Sequence, residues 1–386
     1  MLALCRKLEY NIDSFQRSFV KPLSALFALT LSFNLWAQTQ DYLLTSHDPE
    51  FLLRNAQYTK TVLRQGRTYV VTLNKPLEDL PLELRNNLEP IKTQEIINQE
   101  ASLPFAASDA NPRIIELTKL VKSENIIESI RIYSDLEKRA TNVLDVKKNS
   151  GNKLTMDMLS LEFKAQGLEV NSQCYKKRKF DDECNIIGVK RSLNPSAKNY
   201  IIVAHLDSVN WDKAAADDNA SGLAGLIEVA RITKNLSFDN NIVFIAVNGE
   251  ETGLNGSTAY VADLKKNGRL NDVIGVLAMD MIAYNKKGNI LNLETNNEFL
   301  EYVEWVGVQA RLYTTLTPKI TTPAWGSDHV PFLKEKIPTF LLIENWEAAN
   351  PCYHKSCDTL ANIDSNYAAE MVKLNLAVTL QKAELK

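Results

Sequence analysis

Several apolar runs of this chain end on imidazole or carboxylate side chains: NYIIVAHLD reaches His205 and Asp207, NNIVFIAVNGEE ends on Glu250 and Glu251, and VIGVLAMD ends on Asp280. DKAAADDNASG carries Asp217 and Asp218 just ahead of a helix, and CYHKSC sets His354 between two cysteines. Imidazole and carboxylate together suit zinc; in a site shared by two ions, one carboxylate bridges while each ion keeps a place for water or substrate. Two residues beyond His205, the Asp207 carboxylate is placed to take the other imidazole N–H and leave one ring nitrogen for metal. Glu250 and Glu251 precede Gly253 in a turn where neighbouring side chains diverge, so one can bind metal while the other holds water. Each feature alone has a plainer reading: a core histidine, a helix cap, a solvated acidic turn. Their repetition at strand ends points to one shared cleft. Ser327, Asp328 and His329 are contiguous, which a serine-hydrolase triad does not accommodate, and no GxSxG elbow occurs.

Continuous Val, Ile, Leu, Ala and Phe runs suit strands buried on both faces, and such sheets bind ligands beyond the carboxyl ends of their strands. Asn111 and Pro112 open a helix in cap and first-turn positions, a second helix spans Glu124 to Glu137, and a third crosses LTMDMLSLEFKAQ to stop at Gly167. LEV, NIIGV and NYIIVAHLD then read as strands, with Asn194 and Pro195 turning between the last two. SGLAGLIEVARIT and GSTAYVADLKKN read as helices; NNIVFIAVN, VIGVLAMD and IPTFLLIE read as strands. Ala220, Gly222 and Gly225 are small enough to let the helix after Asp218 sit close to the sheet. The fold class is α/β: a three-layer arrangement with a central mixed, mainly parallel sheet between helices.

At 386 residues, 45% apolar and 24% charged, the chain can bury a full core, and its formal net charge of -3 is spread without blocks, which excludes nucleic acid as an expected partner. Residues 1–37 read as a secretory signal: Arg6, Lys7, Arg17 and Lys21 precede an apolar stretch from Leu23 to Ala37 that is short for a membrane span. A retained amphipathic anchor is the alternative. Residues 38–107 carry a hairpin-like TKTVLRQGRTYVVTL turning at Gln65 and Gly66, and no catalytic cluster. They read as a small pro-region or accessory domain, removed by a processing protease or kept as a permanent part, with PFAASDANP as a linker. Residues 108–386 hold the catalytic features. Once the signal is removed, no stable membrane insertion is expected, and the product is secreted, extracellular or periplasmic. Cys174, Cys184, Cys352 and Cys357 then remain, an even number in a compartment that permits disulfides. Three pairings are open, and short loops favour Cys174 with Cys184 and Cys352 with Cys357; a thiolate zinc site is the competing reading.

Together AHLDSV, ADDNASG, NGEETGLNGS, AMDMI, WGSDHVPF and CYHKSCDT resemble the co-catalytic zinc aminopeptidases of the M28 family, the secreted bacterial leucyl aminopeptidase type. The resemblance runs from about Asn111 to the end of the chain. It implies two Zn2+ per chain, bridged by Asp218, with His205 and Asp280 completing one ion and Glu251 and His354 the other. It further implies Glu250 as general base, Asp207 as the acid supporting the first histidine, Tyr353 as a holder of the reacting carbonyl oxygen, and Met281 as a wall of the side-chain pocket. The Cys352 to Cys357 spacing is similar to a bridge in relatives. The substrates so implied are peptides with a free N-terminus, cleaved after leucine or another bulky apolar residue. A glutaminyl cyclase of the same fold, with one zinc, and a binding ectodomain without catalysis are the rival expectations.

Overall fold

A computed structural model describes residues 41–45, 55, 57–65, 68–85, 88–90, 99–100, 110–136, 139, 150–178, 181–209, 215–324 and 326–386. The signal-like segment, the Gly66 position and most of the linker lie outside the described residues.

The N-terminal part forms an antiparallel sheet of β1 (Asp41–Thr45), β2 (Thr59–Gln65), β3 (Thr68–Leu73) and β4 (Leu88–Pro90), in the order β2-β3-β1-β4. The expected hairpin is its β2–β3 pair, but Gln65 belongs to β2, where it pairs with Thr68, rather than to the turn. Val71, Leu80, Leu84 and Leu88 make its small core. A short strand β5 (Gln99–Glu100) then joins the edge of the main sheet.

Among the described residues nine strands make that sheet, in the order β5-β12-β11-β13-β10-β8-β9-β7-β6. They comprise β6 (Glu169–Arg178), β7 (Asp181–Lys190), β8 (Asn199–His205), β9 (Asn241–Val247), β10 (Val273–Met279), β11 (Ile290–Glu294), β12 (Thr317–Thr321) and β13 (Thr339–Glu344) besides β5. The sheet is mixed: β13, β10, β8 and β9 run parallel at its centre, with antiparallel pairs at β11–β13, β7–β9 and β6–β7. These central strands lack alternation because both faces are covered. From β8, Ile202 and Ala204 pack into one apolar layer while Ile201 and Val203 pack into the other.

The first layer is closed by α1 (Pro112–Thr118), α2 (Ser123–Ser134), α3 (Ser150–Ala165), α4 (Gly222–Thr233), α6 (Leu300–Tyr313) and α8 (Ser365–Lys382); the second by α5 (Asn255–Lys266) and α7 (Val330–Lys334). Asn111 caps α1 by accepting from the Arg113 N–H, with Pro112 at the first position. Gly167, at φ +75°, ends the α3 region, since a residue with a Cβ is disfavoured there. Gly225 of α4 faces β10, where an added Cβ would lie 2.8 Å from Met279 Sδ, so the close approach expected of this helix is present.

Candidate metal centre

His205 is the last residue of β8, Glu250 and Glu251 follow β9, and Asp280 follows β10, three neighbouring strands that all end at the same edge. Parallel pairing forces that common end, so donors far apart in sequence meet. Asp218 arrives on an irregular turn, Ala216–Ser221, ahead of α4, and His354 on the loop after β13. Their ligating atoms fall into overlapping groups: His205, Asp218 and Asp280; Asp218, Glu251 and His354; and His205, Glu250 and Glu251, with the atoms of each group within 4.8 Å of one another.

Asp218 is shared. Its Oδ1 lies 3.3 Å from His205 Nε2 and its Oδ2 lies 3.2 Å from His354 Nε2. His205 Nε2 is also 3.3 Å from Asp280 Oδ1, and His354 Nε2 is 3.2 Å from Glu251 Oε2. Each imidazole therefore points one nitrogen at two carboxylates. Burial would lower both imidazole pKa values, but the surrounding carboxylates dominate: Asp280, Asp207 and Asp218 hold His205 well above its usual range, and Glu251 with Asp218 raises His354 to about 10. Burial pushes Glu251 up to about 7, its own neighbour Asp218 adding to the shift. Both Glu251 oxygens are buried and neither makes a well-aligned hydrogen bond, with His354 Nε2 standing 3.2 Å from Oε2. An anion kept in that condition is a fit for a cation, and imidazole with carboxylate oxygen is the donor set that zinc takes.

The supporting contacts partly differ from expectation. His205 Nδ1 is held at 3.1 Å by the main-chain carbonyl of Asp207, nearer than the Asp207 carboxylate at 3.7 Å. That carboxylate also accepts the N–H groups of Glu250 and Glu251, each at 3.2 Å, and so fixes the acidic turn. Met281 is buried with φ +49°, its N–H on Asn219 Oδ1 at 3.3 Å. The Tyr353 ring stacks on the His354 ring at 3.8 Å, and Trp346 meets Tyr353 edge-on. Disulfides join Cys352 to Cys357, bracketing Tyr353 and His354, and Cys174 to Cys184, in place of a thiolate site. Asp217, beside Asp218, turns away to accept from Ala283 N–H and Asn350 Nδ2.

Three residues that support the site, Ser327, Asp358 and Arg139, were not foreseen from the sequence. Ser327 donates to Asp280 Oδ2 at 2.8 Å. Asp358 accepts the N–H groups of Asp217 and Asp218 on its carboxylate and that of Ala216 on its carbonyl. Arg139, fully buried, donates to the carbonyl of Ala215 at 2.7 Å. A serine beside Asp-His and an aspartate after the second cysteine were the available signals, but neither names its partner. Ser327, Asp328 and His329 face three different groups, Asp280, Ser257 and Glu294, so no triad forms.

A model of the family described as Peptidase family M28 matches residues 185–379. Among curated proteins, the chain is similar to "Aminopeptidase YwaD" of Bacillus subtilis, 30% identical over 224 residues, covering 55% of this chain and 49% of that protein. It is also similar to a "Probable leucine aminopeptidase" of Arthroderma benhamiae, 31% identical over 218 residues, covering 52% and 56%. The chain thus spans about half the length of the curated relatives it matches. Similar folds include LapB from Legionella pneumophila, with a TM-score of 0.65 and 18% identity over 89% of this chain and 99% of that one. BSAP, titled a zinc aminopeptidase from Bacillus subtilis, gives 0.59 and 17% over 68% and 96%. A glutaminyl cyclase from Bacteroides thetaiotaomicron gives 0.56 and 19% over 67% and 97%. At these identities the likeness concerns the fold alone.

Proposed function

This chain belongs to peptidase family M28, and from that premise we propose that it is a secreted aminopeptidase holding two zinc ions per chain. Its substrates are peptides with a free N-terminus, from which it removes leucine or another bulky apolar residue. The single observation behind the two-ion reading is that the two Asp218 oxygens face two different imidazoles, at 3.3 and 3.2 Å. His205, Asp218 and Asp280 would hold one ion; Asp218, Glu251 and His354 the other. When bound, the ions supply Lewis acidity toward a peptide carbonyl and lower the pKa of water to about 7.

The chain's own residues do the rest. Glu250 is buried, and burial, with Glu251 and Asp328 nearby, lifts its pKa well above the usual carboxylate range against the opposing pull of His205. Set among the metal-binding groups, its carboxylate takes a proton from the attacking water and returns it to the departing amine. Tyr353 keeps its phenolic proton because burial and the carboxylates around it raise its pKa, so it can donate to the developing oxyanion. Asp207 fixes the turn that presents Glu250, and Met281 closes the pocket for the first side chain. Secretion is supported by the two disulfides and the signal-like N-terminus. Among the described residues, no helix is long and apolar enough to cross a membrane.

The test is metal analysis of the purified full chain together with a panel of aminoacyl anilides and a glutaminyl peptide. Two zinc ions per chain and fastest turnover on leucine anilide are expected. One zinc with ammonia release from the glutaminyl peptide would replace this reading by the cyclase; no turnover of any kind would leave a binding protein.

A further inference from the structure

The β6–β7 hairpin reaches beyond the sheet on the side of the acidic turn. β7 pairs with β9 from Ile186 to Lys190 only, whereas its pairing with β6 continues out to Arg178 and Asp181. In this overhang Gln173, Cys174 and Tyr175 stand opposite Asn185, Cys184 and Glu183. Side chains alternate along a strand, so Gln173, Tyr175, Glu183 and Asn185 share one face while the cysteines take the other.

The first face grips the segment 248–256, which carries Glu250 and Glu251. Asn185 Oδ1 accepts the Asn248 N–H at 3.0 Å, and Asn185 Nδ2 donates to the Gly256 carbonyl at 2.9 Å. The Tyr175 hydroxyl is hydrogen-bonded to the Asn248 carbonyl and lies 3.2 Å from Glu183 Oε2. Gly249 fills the gap at φ +72°; a Cβ there would stand 2.7 Å from Glu183 Oε2 and 3.0 Å from the Tyr175 hydroxyl. Both polar groups of the Asn248 backbone are thus tied to the hairpin, two residues before Glu250.

On the other face the Cys174–Cys184 disulfide cross-links the overhang, with Cys174 exposed. A two-stranded ribbon without further strand partners is marginally stable, and a cross-link restricts its open states. We propose that Tyr175, Glu183 and Asn185 are positioning residues for the Glu250 turn, and that the Cys174–Cys184 disulfide holds them in register, so that turnover depends on an exposed bond outside the metal centre. The inference rests on the functional reading only for the role of Glu250.

The test compares the full-length C174S/C184S double variant and Tyr175→Phe with the unaltered protein. Amide hydrogen exchange is followed over residues 248–256, and zinc per chain, kcat and KM for leucine anilide are measured. Both variants should exchange about tenfold faster in that segment, the scale of one lost hydrogen bond, with the central strands unchanged. Turnover should fall roughly 10- to 100-fold, as for a misplaced reacting group, at constant KM and constant zinc content. Unchanged exchange in both variants would overturn the proposal, as would a loss of kcat that only follows loss of zinc. If the unaltered zinc-loaded protein cleaves no anilide, the functional reading fails, while the exchange comparison still decides whether the hairpin braces the turn.

Discussion

Asp218 meets an imidazole with each oxygen, and this sharing sets the protonation state of the metal-free site. Burial would raise the Asp218 pKa, yet His205 and His354 hold it well below the usual carboxylate range, and both imidazoles are correspondingly raised. At pH 7 they carry protons, and Glu251, raised to about 7, carries one in part, so titrating zinc into metal-free protein in weak buffer should release about two to three protons per chain. Zinc uptake without proton release would remove these imidazoles from the ligand set. Glu250 is separable from binding. Glu250→Gln should keep the zinc content of the parent protein, because the amide preserves shape, while kcat falls on the order of 10²- to 10⁴-fold because an amide accepts no proton. Metal analysis beside anilide kinetics checks this, and unaltered turnover would exclude Glu250 as the base.

The irregular turn ahead of α4 and the loop after β13 bring Asp218 and His354 to the strand ends, and single residues set that placement. Asp358 follows the Cys352–Cys357 loop and holds the N–H groups of Asp217 and Asp218, so it links the segments that carry His354 and Asp218. Asp358→Ala should weaken zinc binding roughly 10- to 100-fold, measured by competition with a chelating dye, with the far-UV spectrum unchanged. The close approach of α4 to β10 is set by Gly225. Gly225→Ala should cost about 1–3 kcal/mol in denaturant unfolding, since Met279 cannot leave the packed layer without displacing others. A variant as stable as the parent would show that the layer yields.

Across the whole molecule, the site gathers buried acids whose ionised forms are disfavoured by burial and by one another. Burial first, then neighbouring carboxylates, raise Asp217 to about 6 and Glu251, Asp328 and Asp358 to about 7, and lift Glu344 well above the usual carboxylate range. A raised folded pKa means that the folded state binds more protons than the unfolded one, so stability falls as pH rises through that window. His354, raised to about 10, adds the same sign at higher pH. The metal-free protein should therefore lose thermal stability between about pH 4 and pH 10, and zinc should raise Tm more at pH 8 than at pH 5. An equal zinc effect at both pH values would contradict this charge balance. The N-terminal segment is tied to the main sheet through β5, whose Gln99 and Glu100 pair with β12. The LapB match covers more of the chain than the residues from Ala110 onward, so it takes in part of that segment.

The apolar runs ending on His205, Glu250, Glu251 and Asp280 fixed the strands, their burial on both faces and the kinds of donor at their ends, because side-chain pattern records burial directly. That same pattern left β11, β12, α6 and α8 without individual assignment: ILNLE and TPKIT are short and mix polar with apolar residues, and their place is set by sheet neighbours. Pairing is a long-range matter. The family motifs already named Asp218 as the shared carboxylate; only the tertiary structure decided that adjacent Asp217 turns away, and that Asp207 offers His205 its carbonyl while its carboxylate takes the N–H groups of the acidic turn. Residue type and local spacing state what a side chain can do; which atoms come within 3.3 Å depends on strand order and loop paths that bring distant segments together.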